Sequence, residues 1–155
     1  MKNILIVPLL LIIFISRSNG ENILKDDFTN ENEWTYIADN VMGGISDGGV
    51  EFNLVDSNVY ALLSGKVSTE NNGGFIQIRR ELKNIDLSKA KSIRVYARGN
   101  NEKYYIFLRT TGTILPWQYY SHEFTVNEEY NEFIMPIKDF KKSGTLLAKQ
   151  VNPKK

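Results

Sequence analysis

The chain has 155 residues with 19 basic and 18 acidic side chains, a balance that leaves no basic stripe for nucleic acid. It contains no cysteine and a single histidine, His122, which excludes disulfides and zinc sites built from several Cys or His ligands. The length suits one domain of ordinary size, large enough to bury a substantial core without disulfides.

The N-terminus has the layout of an export signal. Lys2 is followed by a twelve-residue apolar run, Ile4 to Ile15, and then by Ser18-Asn19-Gly20. The run is shorter than the roughly 20 apolar residues that cross a bilayer, so we predict a secretory signal peptide over residues 1–20, with a buried strand or an uncleaved anchor as alternatives. Its removal leaves one domain over residues 21–155 with 17 basic and 18 acidic residues and a formal charge of −1. We therefore expect a periplasmic or secreted protein without a membrane span.

The rest of the chain reads as short β-strands separated by turn residues. The strands are rich in β-branched and aromatic residues and are bounded by Gly, Asn and Asp. The predicted strands are residues 50–55, 59–68, 73–82, 92–99, 103–111, 117–126 and 131–137. In the fourth of these, Ile93, Val95 and Ala97 alternate with polar residues, which indicates one buried face. Residues 86–92 predict one turn of helix at most, and the whole pattern predicts an all-β sandwich or jelly roll.

Two glycine-rich stretches stand out. The first, DNVMGGIS, runs from Asp39 to Ser46, and the second, NNGGFIQIR, runs from Asn71 to Arg79. Each places a Gly-Gly pair at the entrance to a strand, where a positive φ or a close backbone approach is needed. We expect their polar side chains to bond to the turn backbone, and Met42 and Phe75 to be apolar pins beneath the loops. The motif residues are Asp39, Met42, Gly43, Gly44, Ser46, Asn72, Gly73, Gly74 and Phe75. Either they only shape the loops or they form the rim of a site.

These two motifs are followed by DLSKAKSIRVYARG, KYYIFLRT, WQYYSHEF and FIMPIKDF. In this order, over about residues 24–141, the chain resembles the complex I intermediate-associated protein 30 family, also described as the NADH:ubiquinone oxidoreductase intermediate-associated domain. The resemblance implies a galactose-binding-like jelly-roll β-sandwich without a catalytic residue set. It also implies a binding role in the manner of assembly factors or chaperones. The chain is most similar in layout to exported bacterial members.

Two departures from the family pattern affect what we expect. Gly99-Asn100-Asn101 replaces a Gly-Asp-Gly turn, and asparagine tolerates the left-handed conformation that such a turn requires. After FIMPIKDF the family continues into at least one more apolar strand, whereas residues 141–155 here are polar and rich in lysine. This difference predicts that residues 21–155 form an incomplete sandwich with one open edge.

The residues offer little for catalysis or for cofactors. His122 is the only available base for a Ser-His-Asp arrangement, and no nucleophile-elbow sequence accompanies it, so we predict that the protein is not an enzyme. The acids of DDF, DNVMGG and DGG suit either a calcium ion or hydrogen bonds to their own turns, and we favour the turns, with no metal. Neither a Walker lysine nor a GxGxxG fingerprint is present, so we expect no nucleotide, NADH included, and no other cofactor.

What the sequence offers is a binding surface. Arginine and aromatic residues recur in several strands, and such side chains anchor protein partners and sugar rings. The wider set is Arg79, Arg80, Arg94, Tyr96, Arg98, Tyr104, Tyr105, Arg109, Trp117, Tyr119 and Tyr120. From it we predict Arg79, Arg109, Trp117 and Tyr119 as the binding residues. A protein client is the expected partner, and the alternative is a glycan bound by a carbohydrate-binding module at the cell envelope.

Overall fold

The computed structural model describes residues 12–16, 22–115, 117–144 and 150–152. Within these ranges the chain forms eleven β-strands, and four short 3-10 helices lie in the connections between them. The strands are β1 (Ile12–Ser16), β2 (Asn22–Asp26), β3 (Trp34–Ala38), β4 (Asp47–Val55), β5 (Asn58–Lys66), β6 (Ile76–Arg80), β7 (Ser92–Ala97), β8 (Lys103–Leu108), β9 (Tyr120–Thr125), β10 (Asn131–Pro136) and β11 (Lys141–Lys142). None of the helices in the described ranges is long and apolar enough to cross a membrane.

The strands are arranged in antiparallel sheets around one core. Four strands pair in the order β10-β7-β1-β2, and three pair in the order β11-β9-β8. Two further sheets have two strands each, β3 with β6 and the hairpin β4 with β5. One hydrophobic cluster lies between them. Its buried members are Ile15, Phe28, Ala61, Leu63, Ala90, Ile93, Val95, Ala97, Tyr120, Phe124, Val126, Met135 and Phe140. The predicted all-β sandwich is confirmed.

Alternation identifies the inner face of β7 correctly. Ile93, Val95 and Ala97 are all buried, because successive side chains of a strand point to opposite faces of its sheet. Residues 86–92 contain no helix: a turn, in which the Ser88 N–H donates to Asp86 Oδ1 at 2.9 Å, leads into β7 at Ser92. Asn101 takes a positive φ of 64°, as expected for the turn after β7.

The β3–β6 pair is closed at one end by a buried ion pair. Trp34 lies opposite Arg80 in the ladder, and the Arg80 guanidinium contacts the carboxylates of Asp26 and Glu33. The Trp34 indole N–H donates to Asp26 Oδ2 at 3.1 Å. Arg80 therefore belongs to the framework, and its place in the predicted set of surface arginines is wrong.

Strand β1 comes from the segment predicted to be the signal peptide. It lies between β7 and β2, with Ile15 opposite Ile93 on one side and Leu24 on the other. The Ile15 side chain is 4% exposed and belongs to the core cluster. Cleavage after Gly20 stays a prediction, and it would remove a strand from the interior of a sheet.

Two adjacent arginines provide a test of the buried ion pair. Replacing Arg80 by leucine should lower the free energy of unfolding by about 3 kcal/mol, because Asp26 would keep a buried charge without its partner. The Arg79 side chain is 50% exposed, against 14% for Arg80, so Arg79→Leu should change stability by no more than about 0.5 kcal/mol. Urea denaturation of both variants makes the comparison, and equal losses would show that Arg80 has no special structural role.

Candidate functional site

The carboxylate of Asp39 joins the two glycine-rich loops. Asp39 begins the 3-10 turn Asp39–Met42 and is fully buried. Its Oδ1 accepts the Ser46 N–H at 2.9 Å, and its Oδ2 accepts the N–H groups of Gly74 at 2.6 Å and Phe75 at 3.2 Å. The Ser46 hydroxyl also donates to Oδ2. One side chain therefore bonds to backbone groups that lie up to 36 residues away along the chain.

This environment keeps Asp39 ionised. Burial by itself would raise the pKa of Asp39, but hydrogen bonds from Ser46, Gly74 and Phe75 outweigh burial and lower the pKa to about 2. The charge is thus balanced by N–H and O–H dipoles of the protein. Both carboxylate oxygens already accept hydrogen bonds, from Ser46 and from Gly74 of the second glycine-rich loop, so Asp39 bonds to a distant loop and not only to its own turn as expected. In the ranges that the structure describes, no group of three or more His, Asp or Glu side chains is placed to hold a metal ion.

Each Gly-Gly pair combines a close approach with an unusual backbone conformation. A Cβ atom on Gly44 would overlap the Asp39 carboxylate, and one on Gly73 would lie 2.5 Å from Asp39 Oδ2. Gly43 and Gly74 have positive φ values of 89° and 140°, which other residues rarely adopt. Gly44 and Gly73 therefore make room for the carboxylate, whereas Gly43 and Gly74 allow the backbone to turn.

Ser46 extends this network to a residue that the sequence motifs did not include. The Ser68 N–H donates to Ser46 Oγ at 3.0 Å, and both serines are buried. Asn72 contributes through its backbone, with a positive φ of 59° in the turn before Gly73. The only local hint of Ser68 is a small polar residue ahead of a turn, which is too common a feature to single it out.

The outer side of the first loop is apolar. Met42 is 61% exposed, so the expectation that it pins the loop from beneath is wrong, and Val41 and Ile45 are exposed as well. The 3-10 turn is the physical reason, because it directs Asp39 inward and the following side chains outward. Phe75, the other expected pin, is half-buried.

Three of the four predicted binding residues lie around strands β8 and β9. The Tyr119 ring meets the Phe107 ring edge-on at 4.6 Å, and Phe107 stacks beside Tyr105 with the ring centres 6.0 Å apart. Trp117 is 65% exposed and precedes Tyr119 on the same segment. Arg109 donates to the Thr113 and Leu115 carbonyls at 3.2 and 3.1 Å, so it holds the turn between β8 and β9. We call Tyr105, Phe107, Trp117 and Tyr119 the aromatic face.

A polar rim borders the aromatic face. The Tyr105 hydroxyl donates to Glu123 at 2.7 Å, and Lys103 forms an ion pair with the same carboxylate at 3.0 Å. The hydrogen bond from Tyr105 and the contact with Lys103 lower the pKa of Glu123. The rings are therefore bordered by the Glu123 carboxylate, which is already paired with Lys103.

Arg79 lies on β6, in a different sheet from β8 and β9, beside which the other three predicted residues lie. It pairs with Glu81 at 3.2 Å and lines an open depression of about 700 Å³ with Thr35, Glu81 and Lys83. In the wider arginine and aromatic set, Tyr120 is buried in the core and Tyr104 is half-buried. The set predicted as one surface is divided between separate sheets and the core.

The comparison with protein families decides what this fold is. The family model for Complex I intermediate-associated protein 30 (CIA30) matches residues 24–154. The chain belongs to the CIA30 family. This confirms the resemblance seen in the motifs, and the galactose-binding-like fold of CIA30 agrees with the antiparallel sandwich. No curated protein and no solved structure matches the chain.

Membership indicates a binding module related to complex I assembly, because CIA30 is a family of assembly factors and is not known as a family of enzymes. The surroundings of His122 fit a structural role in this CIA30 domain. Its Nδ1 lies 2.8 Å from the Glu123 carbonyl oxygen, and its ring packs 5.4 Å from that of Phe140.

The close approach at Asp39 can be tested with one methyl group. Gly44→Ala should destabilise this CIA30 domain by about 2 kcal/mol, because the added Cβ would force the buried carboxylate away from its donors. Gly49→Ala is the matched control, since a Cβ there meets nothing within 4 Å. Thermal melts of both variants measure the difference, and similar melting temperatures would refute the packing argument.

The depressed pKa of Asp39 predicts a specific response to acid. A carboxylate whose pKa is lower in the folded than in the unfolded state adds stability above the unfolded value of 3.8, and this stability is lost as the pH falls through about 2. Asp39→Asn should therefore be less stable than the parent at pH 5, and the gap should narrow between pH 4 and pH 2. Urea titrations across this range provide the measurement. Parallel stability curves would mean that Asp39 does not titrate as a hydrogen-bonded carboxylate.

Proposed function

We propose that this CIA30 domain is a non-enzymatic binding module that holds a protein client on the aromatic face. The observation that carries the proposal is the exposure of Tyr105, Phe107 and Trp117 around two neighbouring strands. Aromatic side chains are enriched at the centres of protein interfaces, where they contribute much of the binding free energy. A cluster of this kind on a solvent-facing sheet supports a docking role over a purely structural one.

The segment that carries Trp117 and Tyr119 is held rigidly, which favours tight binding. The Ser143 hydroxyl accepts the Tyr119 N–H at 2.9 Å and donates to the Trp117 carbonyl at 2.7 Å. The Ser143 N–H donates to the Tyr119 carbonyl at 2.9 Å. Because these bonds order the segment before a partner arrives, less conformational entropy is lost on binding.

We further propose that the domain works in the periplasm or outside the cell. The charged start, the short apolar run and the small residues before Glu21 support this location. Such a location separates the domain from the compartment in which complex I assembles. The client would then be a protein of the envelope or of the medium.

A glycan is the second candidate ligand. The Tyr105 and Phe107 side chains are 49% and 44% exposed, and exposed aromatic rings suit the apolar face of a sugar ring. Glu123 and Lys103 at the rim are polar groups that could orient hydroxyls. A protein client takes precedence because the family consists of assembly factors.

Site-specific crosslinking distinguishes a client-binding site from a surface that binds no partner. A photoreactive amino acid at Phe107 should crosslink to a defined protein in cells that produce this chain, whereas the same group at Leu54 should not. Leu54 is a matched control because it is 72% exposed but lies on the β4–β5 hairpin. A Phe107→Ser, Trp117→Ser double variant should bind the client that the crosslink identifies at least about tenfold more weakly than the parent chain does, as expected for loss of two aromatic anchors.

Two outcomes would contradict a client site on the aromatic face. Identical crosslinking patterns at Phe107 and Leu54 would overturn the client proposal. Binding of the parent chain to an immobilised glycan, lost in the double variant, would assign the aromatic face to carbohydrate instead.

A further inference from the structure

Strand β8 lies at the edge of its sheet. The strand order is β11-β9-β8, so β8 pairs with β9 on one side and has no strand on the other within the ranges that the structure describes. Its register with β9 runs from Lys103 to Leu108 without a bulge. A regular open edge of this kind presents a row of N–H and C=O groups with which another extended chain can pair.

Two backbone hydrogen bonds identify the groups of β8 that face the open edge. The Val126 N–H donates to the Glu102 carbonyl at 3.2 Å, and on the far side of β9 the Ser143 N–H donates to the Tyr119 carbonyl at 2.9 Å. Because hydrogen-bonded and non-hydrogen-bonded pairs alternate along an antiparallel ladder, the even-numbered residues of β8 bond to β9. The odd-numbered residues direct their backbone groups outward, and they are Lys103, Tyr105 and Phe107.

These outward backbone groups belong to the same residues as the exposed rings of β8. Among the described residues, none bonds to the backbone N–H or C=O of Lys103, Tyr105 or Phe107. The Tyr105 and Phe107 side chains are exposed as well. A strand added here would pair with the backbone and place its own side chains about 5 Å from those of its cross-strand neighbours. The open edge of β8 and the aromatic face therefore form one continuous site.

Arg109 gives one end of this site a positive charge. Arg109 follows β8 in the odd-numbered series and is exposed. One of its nitrogens, Nη2, donates to the Thr113 and Leu115 carbonyls, and no carboxylate of the described ranges pairs with it. Its remaining N–H donors suit an acidic group of a partner. Lys103, at the other end, is already paired with Glu123 at 3.0 Å.

We propose that the open edge of β8 binds an extended segment of the client as an added antiparallel strand, with two apolar side chains beside Phe107 and Tyr105 and an acidic side chain beside Arg109. Read from its N-terminus, the segment has the pattern acidic, any, apolar, any, apolar. The antiparallel direction continues that of β8, β9 and β11 and gives the more stable ladder. This inference rests on the client site proposed for the aromatic face and adds the chemistry of the client.

A second copy of the chain is a poorer occupant of this edge. Two β8 edges can pair only through their odd-numbered residues, because only these have free backbone groups. Those residues, with their neighbours in the same series, include no acid: Asn101, Lys103, Tyr105, Phe107, Arg109 and Thr111. No register therefore offers Arg109 a carboxylate, and the register that sets Tyr105 beside Phe107 also sets Lys103 beside Arg109, where like charges repel. The charge pattern favours a different chain with an acidic residue.

Peptides methylated at chosen backbone nitrogens test strand addition. The probe is fluorescein-labelled Glu-Thr-Ile-Thr-Val-Thr-Ser, and its binding to the full chain is measured by fluorescence anisotropy. N-methyl groups on the isoleucine and the valine remove the donors that would face β8, so binding should weaken at least about tenfold. The matched control carries its N-methyl groups on the two threonines that flank the isoleucine. These nitrogens point away from β8, so the control should bind within about twofold of the probe.

A charge exchange tests the predicted contact with Arg109. A probe in which lysine replaces the glutamate should bind the parent chain at least about threefold more weakly, and Arg109→Glu should restore its binding. The comparison of the two peptides on the parent chain does not depend on how well the Arg109→Glu variant folds. Equal binding of these two peptides, or of the two methylated peptides, would overturn the proposal.

The outcomes separate strand addition from the client site itself. Probe binding that is lost in the Phe107→Ser, Trp117→Ser variant but does not depend on the position of the methyl groups would keep the aromatic face and overturn strand addition. A full chain that sediments as a dimer and takes up no probe would assign the edge to a second copy, which also overturns it. The client site fails in the crosslinking experiment instead, through identical patterns at Phe107 and Leu54.

Discussion

The rest of the structure depends on one buried charge, the carboxylate of Asp39. An ionised carboxylate without a cation is tolerated inside a protein only when several donors point at it. Here the donors come from two loops, so Ser46 on one side and Gly74 and Phe75 on the other must converge on the same oxygens. This convergence sets the distance between the loops, and at that distance Gly44 and Gly73 have no room for a side chain.

A second buried carboxylate has the corresponding role at the opposite end of the β3–β6 ladder. The ladder runs from the pair Trp34–Arg80 to the pair Ala38–Ile76. Asp26 bonds to Trp34 and Arg80 at the first end, and Asp39 follows Ala38 at the other. A two-stranded ladder is only marginally stable by itself, and here each end is attached to the body of the domain by a charge that cannot leave its donors without a large penalty.

These internal roles determine which groups are left for partners. The buried acids and Arg80 are engaged within the framework, and the groups that remain for recognition include the rings of the aromatic face, on β8 and on the segment before β9. Exposed aromatic rings recognise a partner through shape and apolar contact. This mode fits the binding role proposed for this CIA30 domain better than it fits a catalytic cleft, in which charged groups stay unpaired and available.

The sequence by itself determined the class of fold, the family and the need for glycine in both loops. Alternation in β7 is a property of neighbouring residues, and the two motifs are contiguous, so both can be read along the chain. Tertiary structure alone decided that Arg80 is buried while Arg79 is exposed, that Met42 faces outward, and that Ser68 joins the Asp39 network. It also decided that residues 12–16 fit between β2 and β7. The physical reason is the same in each case. These outcomes depend on partners tens of residues away, and local spacing carries no record of which distant donor, edge or pocket a side chain will meet.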